Sequence, residues 1–515
     1  MMEIVFLSSS DIHGYILPTD YQNFGTEDAS FGLSRVSSVI KSERAKYGAN
    51  NVIVADTGDC LQGSPLAAYV HTADETALKQ YTDLYNAVGY DVRCLGNHDF
   101  NFGLTYLSQY INYNHSTLLN ANILAKKTAQ PAFGQGYCII TKNGIKIGII
   151  GVTTKRVPAW EPAENVTGLK FLSAFDQVRY YTQIIRAEVD ILAVIYHGGF
   201  EADIHTGQAT EPKTGENEGY RILKEIPEID VFLTGHQHQK MSLEAFDTAI
   251  VQPGYRGEAV GKVVVEIDED TKKIQSTTAS LIDTKDYCPD KEIISLCSGL
   301  NKQTENWLDQ PIAYLNAPAK IDNAQKARLQ GAPFVNLLQQ MQLYYTQADI
   351  SATAVMSETA KGFEQKVTIR DILLNYPYAN QLCRVKLTGK ELRQIIEHSL
   401  SFLIKNDQGK IEFAPKYQNL LFNFDTFYPI NYQAEIDRPI GQRLTKLELD
   451  GQEIADGQIY RLAVNNYRAM GGGFYPVYNL DKIEEIYDKD YVQMFQEFLT
   501  QIKPKVDLVK NYSFK

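Results

Sequence analysis

Ile4-Val5-Phe6-Leu7-Ser8-Ser9-Ser10-Asp11-Ile12-His13-Gly14 sets the reading of the chain. An apolar run gives way to small hydroxyl residues and then to Asp, His and Gly. This pattern predicts a buried strand over Ile4–Ser9 whose exit delivers ligand-type side chains. The same grammar recurs further on. Asn51–Ala55 precedes Gly58-Asp59, and Val92–Leu95 precedes Gly96-Asn97-His98-Asp99. Ile191–Tyr196 leads into His197-Gly198-Gly199, and Val231–Thr234 into Gly235-His236-Gln237-His238. Helical patterns over Phe31–Lys46 and Ala174–Ala187 lie between. Asn143-Gly144 predicts a tight hairpin within Tyr137–Val152. Strands are also expected around Gly261–Asp268 and Thr277–Ile282. The mixture predicts an α/β sandwich with its helices outside.

A helical pattern over Pro289–Gln310 predicts a connector. The domain reading is therefore 1–288, a connector helix and linker at 289–324, and a second unit at 325–515. In that second unit a helix is expected over Pro333–Thr346, a strand over Asp349–Met356 and a helix over Lys390–Leu403. A hairpin turning at Asp450-Gly451, a strand at Ile459–Val464 and a terminal helix near Tyr491–Ile502 follow. The polar stretch Glu201–Gly219 predicts a long surface loop.

Composition narrows the class. The 515 residues are 44% hydrophobic and 22% charged, with a net charge of −12. These values exclude a disordered, collagen-like or coiled-coil chain. The acidic balance argues against bulk binding of a nucleic acid polymer. Six scattered cysteines give no disulfide framework. No apolar run reaches the roughly 18 residues of a membrane span, so no membrane partner is expected. The N-terminus reads as a strand rather than a secretory leader. The expectation is a cytoplasmic monomer or weak dimer, or an extracytoplasmic protein if a leader has been removed.

Eight of the nine histidines precede residue 240, and five of them sit just past the apolar strands. Strand ends of α/β sheets are where ligands bind. Carboxylate, imidazole and amide donors without cysteine suit two divalent metal ions of the Mn, Zn, Fe or Co type. Two cations about 3.5–4 Å apart repel, so an anionic bridge is needed. Asp59 is the natural bridge. Asp11, His13 and His238 would complete one site; Asn97, His197 and His236 would complete the other. The i, i+2 spacing of Asp11/His13 and His236/His238 puts each pair on one side of an extended segment. Such a centre clamps a phosphoryl group while a bridging hydroxide attacks phosphorus in line with the leaving oxygen.

The blocks DIHG (11–14), GDCLQGSP (58–65), GNHDFNFG (96–103), YHGG (196–199) and GHQH (235–238) resemble the calcineurin-like metallophosphoesterases, and more narrowly the 5'-nucleotidase family. NNYRAMGGGF (465–474) and LFNFDTFYPINYQ (421–433) extend the likeness over nearly the whole chain. They are most similar to the 2',3'-cyclic-nucleotide 2'-phosphodiesterase/3'-nucleotidase branch. The resemblance implies a four-layer αββα sandwich followed by a second α/β nucleotide-binding domain. It places the metal ligands on the seven residues named above. His98 falls on the catalytic histidine, which stabilises the phosphoryl transition state or protonates the leaving oxygen. Relatives specialised for 5'-nucleotides often carry Asp at the second catalytic position, three residues on. Here that position is Asn101, so the resemblance leaves His98 without an anionic orienter and favours the cyclic-phosphodiesterase branch.

For the substrate, the resemblance implies two aromatic residues that sandwich a base, falling on Tyr467 and Tyr378. Asn380 is a candidate for a base edge and Arg468 for phosphate or ribose. A small nucleotide is thus the expected substrate, hydrolysed first as the 2',3'-cyclic ester and then as the 3'-ester. The alternatives are a 5'-nucleotidase or nucleotide-sugar hydrolase, a silent nucleotide sensor, and a protein phosphatase or nuclease on the same core.

Overall fold

The computed structural model describes residues 1–21, 28–211, 214–376, 378 and 380–515. Within the expected surface loop and the 375–380 segment, residues 212, 213, 377 and 379 lie outside the described ones. The chain forms two compact units, Met1–Glu305 and Asn306–Lys515. The helix Lys291–Leu308 carries the junction between them.

Two six-stranded sheets build the first unit. One is ordered Ile274–Asp283, Ala259–Ile267, Met2–Ser9, Val52–Asp56, Val92–Arg93, Thr117–Leu118. The other is ordered Lys240–Ala245, Thr248–Pro253, Val231–Thr234, Ile191–His197, Ile145–Thr153, Tyr137–Lys142. Side chains alternate across a strand, so each central strand faces two layers. Ile4, Phe6, Ile53 and Ala55 of the first sheet share a core with Ile147, Ile149, Ile191, Ile195 and Val231 of the second. The opposite face of the second sheet, with Val152, Val194, Tyr196 and Phe232, packs on Phe175, Val178, Ile222 and Leu223 from helices. The helix Leu33–Tyr47 buries Leu33, Val36, Val39 and Ile40 and lies against the strands Met2–Ser9 and Val52–Asp56. The result is a four-layer αββα sandwich. Strands buried on both faces must be apolar throughout, which is why Ile191–His197 reads as an unbroken buried run.

This topology positions the site. Met2–Ser9 runs parallel to Val52–Asp56, which runs parallel to Val92–Arg93. Ile145–Thr153, Ile191–His197 and Val231–Thr234 are likewise mutually parallel. All of these strands except Ile145–Thr153 exit into a ligand-type block. The hairpin turn is as read: Asn143 and Gly144 both take positive φ, 47° and 81°, the requirement of a type I′ turn.

The second unit centres on a five-stranded sheet ordered Thr426–Tyr428, Ile350–Thr353, Ile459–Asn465, Gln381–Thr388, Ile483–Asp490. Separate apolar clusters cover its two faces. The helix Gly389–Leu400 begins with a capping box in which Thr388 and Glu391 satisfy each other's backbone N–H groups. It stops three residues short of the expected Leu403, where the strand Leu403–Lys405 begins.

Arg468 departs from its expected role. It is only 3% exposed. Its Nε and Nη2 donate to the two oxygens of Asp425 at 2.8 and 3.0 Å, and Nη1 donates to Asn423 Oδ1 and the Gly472 carbonyl. Taking one partner from such a buried pair costs about 3–5 kcal/mol, because the other charge is left unpaired. A guanidinium so occupied ties the glycine-rich turn to the sheet, which leaves it no free donor fork for phosphate or ribose.

Candidate metal centre and active site

The five strand exits converge. The Asp11 N–H donates to the Gly58 carbonyl at 3.0 Å and the His13 N–H to the Asp59 carbonyl at 2.8 Å, stitching the first two loops together. Both Asp11 carboxylate oxygens accept the His236 N–H, at 3.2 and 3.0 Å, which joins the two sheets. The His98 N–H donates to Asp59 Oδ1 at 2.7 Å. Asp99 accepts the N–H groups of Asp59, Cys60, Leu61 and Gly96, and so anchors two loops at once. A side chain at Gly96 would collide with the Asp59 carboxylate, and one at Gly235 with Ser10 and Asp11. Glycine at both positions lets the loops close on each other.

Strain marks the same place. Asp11, His13, Asp59, His236 and His238 all have left-handed φ, between 51° and 71°. For a non-glycine residue that conformation costs on the order of 1–3 kcal/mol. Five ligand-type side chains held this way show loops shaped by where those side chains must point.

Two clusters of donors result: Asp11, His13 and His238, and Asp11, Asp59 and His197. Asp11, expected in only one site, is common to both. Asp59 Oδ2 also reaches both sides, 3.2 Å from His197 Nε2 and 3.9 Å from His13 Nε2. Asn97 Oδ1 lies 3.0 Å from His197 Nε2. The ring of His236 is 5.3 Å from that of His197.

The tautomers reveal what the cluster can hold. His197 Nδ1 is 2.7 Å from the Thr57 carbonyl, and His13 Nδ1 is 2.8 Å from the Gln62 carbonyl. A carbonyl only accepts, so each Nδ1 carries a proton and each Nε2 is the ring atom turned inward. His197 Nε2 then faces two further acceptors, Asp59 and Asn97. His13 Nε2 faces His238 Nε2 at 3.1 Å. Such a convergence of lone pairs fits a cation. In the reverse sense, His236 Nε2 meets Glu216 Oε1 at 3.2 Å, which leaves its Nδ1 as the free donor atom.

Charge follows the same logic. Burial opposes ionisation of Asp11, but the His238 hydrogen bond and the charge on His197 prevail and hold its carboxyl at about 2. Burial likewise opposes Asp59, yet His197 draws it well below the usual range. Burial would lower His197, but the Asp59 charge raises it to about 10, so a proton there compensates the carboxylates. Burial dominates at His13 and depresses it to about 4.

His98 stands beside this cluster, its ring 5.3 Å from that of His13. Its Nδ1 is 2.8 Å from Asn101 Oδ1. The amide oxygen thus takes the place that the sequence reading left empty. Asn101 Nδ2 in turn donates to Glu161. Among the described residues, His98 Nε2 makes no hydrogen bond.

Several contributors carried no sequence role. Glu216 comes from the polar loop, Glu161 from the end of the short helix Val157–Trp160, and Tyr255 stacks on His238 with centroids 4.9 Å apart. Thr57 and Gln62 act through backbone carbonyls, which no side-chain pattern reveals. Asp99 lay in a quoted block but was given no task.

In the second unit, Leu382 pairs with Asn465 and the Gln381 N–H donates to Asn466 Oδ1, so residues 381–382 and 465–466 are neighbours. Tyr378 and Tyr467 are 43% and 44% exposed there, open enough for a planar ligand. Asn380 is half-buried, with Nδ2 donating to the Tyr376 hydroxyl at 3.3 Å.

An αββα sandwich with carboxylates and imidazoles gathered at its strand exits defines a metallophosphoesterase. Residues 4–240 match the calcineurin-like phosphoesterase family and residues 311–479 match the 5'-nucleotidase C-terminal domain. A crystal structure of a Staphylococcus aureus 5'-nucleotidase candidate, in complex with alpha-ketoglutarate, is 32% identical with a TM-score of 0.85, over 99% of both chains. The 2',3'-cyclic-nucleotide 2'-phosphodiesterase/3'-nucleotidase of Salmonella typhimurium is 26% identical over 92% of this chain and 82% of its own length. That of Haemophilus influenzae is 26% identical over 100% of this chain and 87% of its own. The chain belongs to the 5'-nucleotidase family of calcineurin-like metallophosphoesterases, whose hydrolytic chemistry uses divalent metal ions.

Proposed function

We propose that this chain hydrolyses nucleotide phosphoesters at a dinuclear centre, with 2',3'-cyclic nucleotides and then 3'-nucleotides as substrates. The observation that carries the reading is the pair of adjoining donor clusters, with Asp11 common to both and Asp59 reaching both His13 and His197. Asp11, His13 and His238 would hold one cation; Asp59, Asn97, His197 and His236 would complete the other site. Cations there supply charge neutralisation of the phosphoryl oxygens and a lowered pKa for water. The protein fixes the donor tautomers through Thr57, Gln62 and Glu216. It leaves His98 Nε2 free to stabilise the phosphoryl group or protonate the leaving oxygen.

The relatives named as cyclic-nucleotide phosphodiesterases support the substrate choice, as does Asn at position 101. The Staphylococcus aureus likeness favours a second reading, 5'-nucleotide hydrolysis. A side-by-side measurement of kcat/KM for 2',3'-cyclic AMP, 3'-AMP and 5'-AMP decides. The first two are expected to exceed the third; a large 5'-AMP preference removes the first choice. No turnover of any of them with Mn²⁺, Zn²⁺, Co²⁺ or Mg²⁺ would leave a nucleotide sensor.

Tyr467 and Tyr378 are proposed to stack on the base, with Asn380 beside them reading its edge. Stacking is worth about 1–3 kcal/mol per base, so Tyr467→Ala should raise the nucleotide KM roughly 5- to 150-fold. The KM of a small aryl phosphate, which has no base, should stay unchanged. An equal rise for both substrates would remove the stacking role.

A further inference from the structure

We propose that Glu161 is a positioning residue for His98, acting through the amide of Asn101. The inference rests on the hydrolase reading above. Two loops from different sheets meet here. Asn101 follows the turn His98–Phe100, and Glu161 ends the helix Val157–Trp160 that succeeds the strand Ile145–Thr153. Glu161 accepts hydrogen bonds from Asn101 Nδ2 and, at 3.1 Å, from Asn165 Nδ2. Asn165 Nδ2 also donates to the Asn101 carbonyl at 3.1 Å, which fixes the backbone of the same residue. Among the described residues, no Lys or Arg pairs with Glu161.

The chemistry runs in one direction. Burial raises the Glu161 carboxyl, while its hydrogen bonds from Asn165 and Asn101 favour the ionised form; as a carboxylate it only accepts, so the half of the Asn101 amide that faces Glu161 has to be the NH₂. The other half, Oδ1, is thereby turned toward His98. An amide oxygen also only accepts, so His98 Nδ1 carries the proton and Nε2 is the atom left for the substrate. Freed from Glu161, the amide can rotate by half a turn and present NH₂ to the ring. That places a donor against Nδ1 and selects the wrong tautomer. The negative charge that Asp supplies next to the histidine in some relatives is thus displaced here by one hydrogen bond.

The test is Glu161→Met, which keeps length and removes the acceptor. With 2',3'-cyclic AMP, kcat should fall about tenfold while KM changes less than about threefold and metal content is unchanged. The double variant Glu161→Met/Asn101→Asp should recover to within about threefold of the wild type, because Asp at 101 offers the ring only acceptors. A structural role for Glu161 would not be rescued in this way. Wild-type kcat in Glu161→Met, or a double variant no better than the single one, overturns the proposal. Should Glu161→Met not fold, Asn101→Leu asks the same question with Glu161 in place, and an unchanged kcat there overturns it equally. A wild-type protein without phosphoesterase turnover would instead sink the hydrolase reading itself.

Discussion

His98→Ala should retain its metal and lose turnover by a factor of about 10²–10⁴, the range that general acid–base catalysis supplies. The reason lies in how the residue is held. Its backbone N–H is bound to Asp59 Oδ1 at 2.7 Å, so it sits beside the carboxylate that faces both histidine clusters. Its ring Nδ1 is committed to Asn101, and Nε2 is uncommitted. None of the hydrogen bonds that set the donor tautomers of His13, His197 and His236 involves the His98 ring. Removal of the imidazole therefore leaves the donor set intact and removes only the group that meets the developing charge. Steady-state rates with 2',3'-cyclic AMP, together with elemental analysis for metal, give the two readouts. Turnover equal to the wild type would take His98 out of the chemistry. Loss of metal would make it a ligand instead.

The parts of this site that the sequence disclosed share a physical cause. A strand buried on both faces has to be apolar, so the polar residues at its exit stand out. Asp11, His13, Asp59, Asn97, His98, His197, His236 and His238 could all be named for that reason. The layers followed from the same runs, since parallel apolar strands need helices on their outer faces. What stayed hidden comes from elements without periodicity. Glu161 and Glu216 arrive from loops, where nothing in the local pattern separates a carboxylate bound to a site residue from one in solvent. The carbonyls of Thr57 and Gln62 belong to the backbone and exist at every position. The left-handed φ of five ligand-type residues has no signature either, because none of them is glycine.

Arg468 shows a different failure. It follows Tyr467 directly, and adjacency in a motif suggests a shared task. In the helical turn Asn466–Ala469, neighbouring side chains point about 100° apart. Tyr467 therefore faces out while Arg468 turns in toward Asp425. Asn101 shows a third. Replacement of a carboxylate by an amide looks like loss of an orienter, yet the amide keeps an oxygen that accepts from His98 and gains an N–H₂ that reaches a carboxylate elsewhere.

Asp59→Asn tests the centre more severely, and its expected effect is loss of metal as well as of turnover. Two dications about 4 Å apart repel by roughly 16 kcal/mol at an effective dielectric constant of 20. Donor charge placed between them is what makes double occupancy possible. Under the proposed dinuclear reading Asp59 would take that position, with Oδ2 3.2 Å from His197 Nε2 and 3.9 Å from His13 Nε2. Its other oxygen is already bonded to the His98 N–H. An amide at 59 is constrained by that same bond: its single oxygen must accept from His98, so its NH₂ has to face His197 and His13. A neutral donor would then point where an anionic acceptor is needed. The variant should bind fewer cations than the wild type under the same loading, and turnover should fall more than about 10³-fold, beyond the contribution of one acid–base group. Asp59→Glu would not restore the centre, because the longer side chain cannot keep both the His98 bond and the inward oxygen in place. Metal content and turnover both at wild-type level in Asp59→Asn would show that Asp11, the carboxylate common to the two donor clusters, suffices as the bridge.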